Sequence, residues 1–217
     1  MRKLLLPIIA MLAFAGHLST AIAQDAKAGE KKAAMCIGCH GIAGYQASFP
    51  EIHKVPMIAG QSAKYIASAL SAYKKGDRKH PTMRAIAGSL SDQDMADLAA
   101  FYSTEAKSTA ALADKPDHEP SPEVAALLKK TNCASCHGDN FSKPIDPTYP
   151  KLAGQHADYL YVALKAYQTQ NNPQVGRANP IMGGMSASFS HSELKQLAQY
   201  IGSLKGELQT VQQSRFK

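Results

Sequence analysis

The chain contains no tryptophan, and aromatic residues make up only 7% of its 217 positions. Basic residues nowhere interleave with aromatics, so the formal charge of +7 does not point to nucleic acid. Beyond residue 23 there is no long apolar run, and the mature chain is expected to be soluble. No segment alternates apolar and polar residues as strands do. No carboxylate pair recurs, and no Ser/His/Asp set has a supporting motif, so hydrolytic chemistry has nothing to rest on. Four cysteines in an exported chain would suit two disulfides, but their spacing argues otherwise.

The N-terminus sets the compartment. Arg2 and Lys3 form a basic start, an apolar stretch runs from Leu4 to about Leu18, and Ala21-Ile22-Ala23 supplies a small-x-small cleavage pattern. Pro7, Gly16 and His17 interrupt the stretch, which is shorter than the ~20 apolar residues of a membrane span. Residues 1–23 therefore read as a cleaved signal peptide, and the destination as the periplasm. The remaining 194 residues carry a formal charge of +5, since Arg2 and Lys3 leave with the signal. That mild excess favours docking on acidic partner surfaces.

The cysteines come as Cys36/Cys39 and Cys133/Cys136, and each pair is followed at once by a histidine, His40 or His137. C-x-x-C-H is the attachment pattern of haem c. The two thiols form thioethers to the porphyrin, and the adjacent histidine is held beneath the iron as a ligand. Zinc would need four ligands at one site, which would bridge 93 residues and merge the two motifs. A thioredoxin-like pair needs a strand-turn-helix setting that is missing here. Two covalently attached haem c groups are the reading that remains.

The motifs belong to an internal duplication. CIGCHG at 36–41 matches CASCHG at 133–138, VPMIAGQ at 55–61 matches YPKLAGQ at 149–155, and YIASALSAY at 65–73 matches YLYVALKAY at 159–167. PTM at 81–83 then matches PIM at 180–182, and LSDQDMADLAAFY at 90–102 matches FSHSELKQLAQYI at 189–201. The order is conserved between the halves and the offset stays between 94 and 99 residues. The sequence divides into a first unit at 24–103, a linker at 104–120 and a second unit at 121–217. Both read as all-α. Helices are expected at about 26–34 and 123–131, over both YxxxALxAY blocks, and after Ser91 and Ser190, each followed by an acid at the third position as in a capping box. Ser121-Pro122-Glu123 reads as an N-cap, a proline at the first helical position and an acidic first turn. Units this small have thin cores, and a buried haem would supply much of the missing apolar contact.

Alignment of the repeats selects Met83 and Met182 as sixth ligands. Each lies two residues after a proline (Pro81, Pro180) that fixes the approach of its loop to the iron. Met185 competes with Met182, but its counterpart is Ile86, which cannot ligate. His80 competes with Met83, but its counterpart is Asn179. His53, His118, His156 and His191 have no partners in the other repeat and read as solvated or locally bonded. Pro56 and Pro150 occupy matched positions 16 and 13 residues after the proximal histidines, where a carbonyl can accept the remaining histidine N–H.

On these residues the chain resembles the cytochrome c4 family: tandem class I cytochrome c domains, each with CxxCH, a PxxAGQ block, a methionine and a terminal helix. The resemblance runs from about residue 25 to 205. It implies two all-helical haem domains packed about a pseudo-twofold axis with haem edges close together. His40 and His137 are then proximal ligands, and Met83 and Met182 distal ones. The second domain departs slightly, opening its last helix with Phe189-Ser190 and following Met182 with Gly-Gly-Met. The resemblance also implies a periplasmic shuttle with redox protein partners and no nucleic acid. A cytochrome bc complex or a dehydrogenase would be donor, a haem–copper terminal oxidase acceptor, and association with membrane complexes peripheral. The basic run Lys74, Lys75, Arg78, Lys79 near Met83 is a candidate docking feature. With both axial positions filled the iron has no open site, so a one-electron carrier is the leading function and no enzyme is expected. Two alternatives stand beside it. One is a haem enzyme acting on peroxide or a sulfur oxyanion through an exchangeable ligand at Met182. The other is a cytochrome subunit of a dehydrogenase complex.

Overall fold

A computed structural model describes residues 23–106 and 112–212. Of the expected signal peptide only Ala23 falls within the described residues. The chain folds as two helical units whose elements follow the same order. In the first are α1 (Ala26–Lys32), α2 (Ala34–His40), α3 (Ala63–Lys75), α4 (Pro81–Gly88) and α5 (Asp92–Thr104). The second has α6 (Pro122–Lys130), α7 (Ala134–His137), α8 (Ala157–Gln168), α9 (Pro180–Ala187) and α10 (His191–Ser203).

Local chemistry starts these helices where the sequence suggests. The Ser91 hydroxyl accepts the Asp94 N–H while Asp94 reaches back to the Ser91 N–H, and Ser190 and Glu193 repeat the exchange at α10. Such boxes satisfy donors that the first helical turn otherwise leaves orphaned. Ser121 caps α6, with Pro122 in its first turn. Asp25 caps α1 by accepting from the Lys27 and Ala28 N–H groups.

In each unit the terminal helix forms the floor of the core. α1 and α3 pack on α5 around Leu98, Ala99, Phe101, Ile37 and Ile66. α6 and α8 pack on α10 around Leu160, Ala198 and Ile201, with Leu194 and Leu197 in an adjoining cluster. At the α1–α5 crossing only glycine fits, since a Cβ on Gly29 would stand 2.0 Å from the Asp97 carbonyl oxygen. Lys32 completes the contact by pairing with Asp94 and with the buried Asp97 carboxylate, both at 2.7 Å. That hydrogen bond from Lys32 is the chief force holding the Asp97 carboxyl below its ordinary range.

Among the described residues the strands are two residues long, and one isolated bridge joins Ala59 and Gln209. β1 (Gln46–Ala47) and β2 (His53–Lys54) form a hairpin in the segment where the first repeat has three more residues than the second. β3 (Arg78–Lys79) and β4 (Gly176–Arg177) pair antiparallel across the two units, with Arg78 opposite Arg177. The connecting segment is tied to the second unit where it is described. The Tyr200 hydroxyl donates to the His118 carbonyl, and the Lys205 N–H to the Asp117 carboxylate. The C-terminal segment turns back to the first unit, where the Gln209 N–H donates to the Ala59 carbonyl at 3.1 Å.

Gly29→Ala should drive α1 off α5 and destabilise the first unit by about 1–3 kcal/mol. Denaturant unfolding followed by circular dichroism checks this, and an unchanged midpoint contradicts the crossing described above.

Candidate functional site

Each attachment motif sits on a single turn of helix. Cys36, Cys39 and His40 lie within α2, and Cys136 and His137 within α7, with Cys133 at its N-cap. The spacing i, i+3, i+4 puts two sulfurs and an imidazole on one face of such a turn. All four cysteines are half-buried, and no two of them are joined in a disulfide. Burial pushes the Cys36 thiol up, with the Tyr102 hydroxyl beside it.

The histidines are oriented in the same way in both units. His40 Nδ1 donates to the Pro56 carbonyl at 2.8 Å, and His137 Nδ1 donates to the Pro150 carbonyl at 3.1 Å. A carbonyl partner makes Nδ1 the protonated nitrogen and leaves the Nε2 lone pair for a metal. Burial pushes both imidazoles below their ordinary pKa, against the opposing pull of the proline carbonyls. The neutral form is the one a metal binds. His40 also feels the charge of Arg78 and of His80, which brings the segment before Met83 towards the attachment turn.

The methionines are not on loops. Pro81 and Pro180 open the short helices α4 and α9, and Met83 and Met182 sit half-buried in the first turns. Proline suits that position because its fixed φ is already helical and its missing N–H has no partner to lose. Met182 N–H donates to the Asn179 side-chain oxygen at 2.9 Å, and Met83 N–H to His80 Nδ1 at 3.4 Å. His80 and Asn179 thus do the same job as caps, and the asymmetry expected between them is only chemical. His80 is also bonded to the Phe49 backbone, in the turn between β1 and β2. Met185 lies one turn further on and is 38% exposed.

The basic run is only partly a solvated face: Lys74 and Lys75 are exposed, and Arg78 is buried. Lys74 donates to the Leu90 carbonyl and Lys79 to the Asn172 carbonyl, while Arg78 is buried between the units. Arg78 Nη2 donates to the Tyr159 hydroxyl at 2.6 Å, and Arg177 Nη2 donates to the same oxygen at 3.1 Å. Arg78 further reaches Tyr65 and lies over the Tyr73 ring, while Arg177 lies over Tyr167. Burial raises the pKa of the Tyr159 phenol, but the two guanidiniums outweigh it and bring the phenol to about 8. Neither arginine has a carboxylate partner among the described residues, and the buried Arg78 Nε has no hydrogen-bond partner. Buried cations without counter-ions are costly. A haem brings two carboxylates, so this donor set fits haem. Tyr65 and Tyr159, Tyr73 and Tyr167, and Arg78 and Arg177 are matched residues of the two repeats, so the cluster is built from both halves alike.

The Ala-Gly-Gln turns meet at the same interface. Ala59 and Ala153 are buried, and Gly60 and Gly154 hold left-handed φ of 85° and 75°, where a side chain is strained. Gln61 Nε2 donates to the Lys151 carbonyl at 3.0 Å, and its Oε1 accepts the Lys151 N–H at 2.9 Å. Gln155 makes the mirror pair on Met57, at 2.8 and 3.0 Å. Residue-by-residue reading missed Gln61, Gln155, Arg78, Arg177 and Tyr159. The signal was present in the duplication, which repeats each of these residue types at matched positions.

Comparison with known proteins gives a consistent result. The cytochrome c family model matches residues 26–104 and again 122–205. Cytochrome c4 of Azotobacter vinelandii is 31% identical, over 94% of this chain and 100% of that protein. A thiosulfate dehydrogenase electron acceptor of Stutzerimonas stutzeri strain A1501 is 31% identical over 85% of each. The crystal structure of reduced recombinant cytochrome c4 from Pseudomonas stutzeri superposes with a TM-score of 0.59 at 28% identity, over 84% of this chain and 100% of that one. With a histidine-oriented attachment turn in each half and a full-length match to these relatives, the chain belongs to the cytochrome c family, as a two-domain member of the cytochrome c4 group that carries two haem c groups.

Proposed function

We propose that the protein is exported to the periplasm and carries electrons one at a time between respiratory-chain components. Cys36 and Cys39 hold one haem and Cys133 and Cys136 the other. His40 and Met83 would hold the first iron, and His137 and Met182 the second. The observation that carries this reading is the doubled Nδ1–carbonyl hydrogen bond, which leaves one basic nitrogen per attachment turn directed to metal binding. When bound, each haem supplies an Fe(III)/Fe(II) couple, and methionine ligation raises its potential relative to a second histidine. The chain's own groups do the rest. Proline carbonyls fix the histidine rings, the caps on α4 and α9 fix the first turn that presents each methionine, and the buried Arg78 with the half-buried Arg177 beside it supplies a positive field.

A methionine on each iron leaves no coordination site for a substrate, which separates a carrier from a haem enzyme. Among the described residues no helix is long and apolar enough to cross a membrane. The names of the relatives bear on the partners. A dehydrogenase as donor is supported by the relative called a thiosulfate dehydrogenase electron acceptor, and a haem–copper terminal oxidase is proposed as acceptor on the sequence resemblance alone. The peroxide or sulfur-oxyanion enzyme rests on exchange of Met182. It is disfavoured by the shared cap geometry of Met83 and Met182.

Oxidised protein should show the weak far-red charge-transfer band of His/Met ferric haem at an intensity accounting for both irons. Met83→Ala and Met182→Ala should each remove about half of it, and Met185→Ala should leave it intact. A high-spin spectrum in the wild-type protein would favour the enzyme instead.

Arg78→Met removes a buried positive charge whose field reaches His40. Loss of that charge favours Fe(III), so the first haem's potential should fall, by an amount on the order of 1 kcal/mol for a charge about 10 Å away in a medium of intermediate dielectric. Spectroelectrochemical titration measures it, and an unchanged or raised potential refutes the placement of this arginine in the haem's field.

A further inference from the structure

The two interface glutamines do more than join the domains. The carbonyl that receives the His40 N–H belongs to the peptide group between Pro56 and Met57, and the N–H of that same peptide is the one Gln155 Oε1 accepts, at 3.0 Å. In the other half, the Pro150–Lys151 peptide takes the His137 N–H on its oxygen and gives its own N–H to Gln61 Oε1, at 2.9 Å. Each glutamine is buried, 5% and 4% exposed, and each amide is used at both ends. Oε1 also accepts the N–H of the following residue, Ser62 or His156, at 3.0 Å in both cases. Nε2 meanwhile donates to the far carbonyl of Lys151 or Met57. Rotation of either amide would therefore break several bonds at once.

We propose that Gln61 and Gln155 are positioning residues that set the redox potential of the haem in the opposite domain. Hydrogen bonds in series polarise one another when shielded from water. An acceptor on the peptide N–H pushes electron density onto its carbonyl oxygen, which then draws the histidine N–H more strongly. The ring nitrogen facing the iron becomes a better donor, and a better donor favours Fe(III) over Fe(II). Gln155, in the second domain, thus lowers the potential of the first haem, and Gln61, in the first, lowers that of the second. The relation is crossed because the AGQ turns exchange their amides about the pseudo-twofold axis. This inference rests on His40 and His137 being the proximal ligands.

The test is a redox titration of the full-length dihaem protein, followed through haem methyl NMR signals assigned to each domain. Gln155→Met keeps the side chain's length and removes its hydrogen bonds. It should raise the potential of the first haem, changing its ferric-to-ferrous ratio at fixed applied potential roughly two- to fivefold, the scale set by part of one neutral hydrogen bond. The second haem should move little. Gln61→Met should give the mirror result, and it serves independently should Gln155→Met fail to fold. Gln155→Glu, which keeps an acceptor oxygen against Met57, should leave the first haem at or below its native potential. Ser62→Ala breaks a different interdomain bond, to the Pro147 carbonyl at 2.5 Å, and should shift neither haem. A shift in the haem of the mutated domain alone, equal shifts in both, or no shift in either glutamine variant would overturn the proposal. Loss of the His/Met spectrum in the unmutated protein would instead overturn the ligand assignment on which it rests.

Discussion

One peptide group in each half ties the molecule together. Between Pro56 and Met57, and again between Pro150 and Lys151, a single amide plane receives a histidine N–H on one side and gives its own N–H across the domain boundary on the other. The attachment turn, the AGQ turn and the interface all converge there. Pro56 and Pro150 have no N–H to complicate that arrangement. The left-handed glycine in each turn brings the following glutamine within reach of the other domain. A buried amide left without partners would cost about 1–3 kcal/mol, which explains why the exchange is complete in both directions.

The interface is polar where most of its contacts are known, and it differs in that respect from an apolar core cut in two. Its centre is a pair of arginines among four tyrosines, and its edges are the crossed glutamines and the β3–β4 pair. The crossed glutamines are fully hydrogen-bonded, so they specify the geometry of the seam more sharply than apolar packing of equal area would. It is not fully symmetric. The hairpin segment of the first repeat adds contacts that have no mirror image, among them the Lys54 N–H to the Asp158 carboxylate at 3.0 Å and the Lys165–Glu51 ion pair at 2.8 Å. His53, expected to be solvated or locally bonded, is buried in that hairpin, bonded to the Glu51 carbonyl and facing the Tyr159 ring.

What was legible in the sequence is what depends on near neighbours. The CxxCH turns, the capping boxes at Ser91 and Ser190, the Ser121-Pro122 start and the all-α class depend on spacings of a few residues, and spacing is what a sequence displays. The proline carbonyls were also within reach, because both repeats place them at similar distances from a histidine. The methionine segments were misread as loops, since a proline two residues earlier fits a helix start as well as a turn. Arg78 was read with its lysine neighbours as a surface charge run. Its actual partners, Tyr159 and the facing Arg177, lie 81 and 99 residues away and leave no local trace. The glutamines were seen only as part of a repeated motif, because a polar side chain in a turn ordinarily faces water and nothing nearby announces that it crosses a boundary.

The account stands on one haem c per repeat, each bonded to its own pair of cysteines. Intact mass spectrometry of the exported protein, with mapping of haem-bearing peptides, tests this most directly. It should give residues 24–217 plus two haem groups, one on the peptide containing Cys36 to His40 and one on that containing Cys133 to His137. A mass with fewer than two haems, or a haem absent from either peptide, would contradict it.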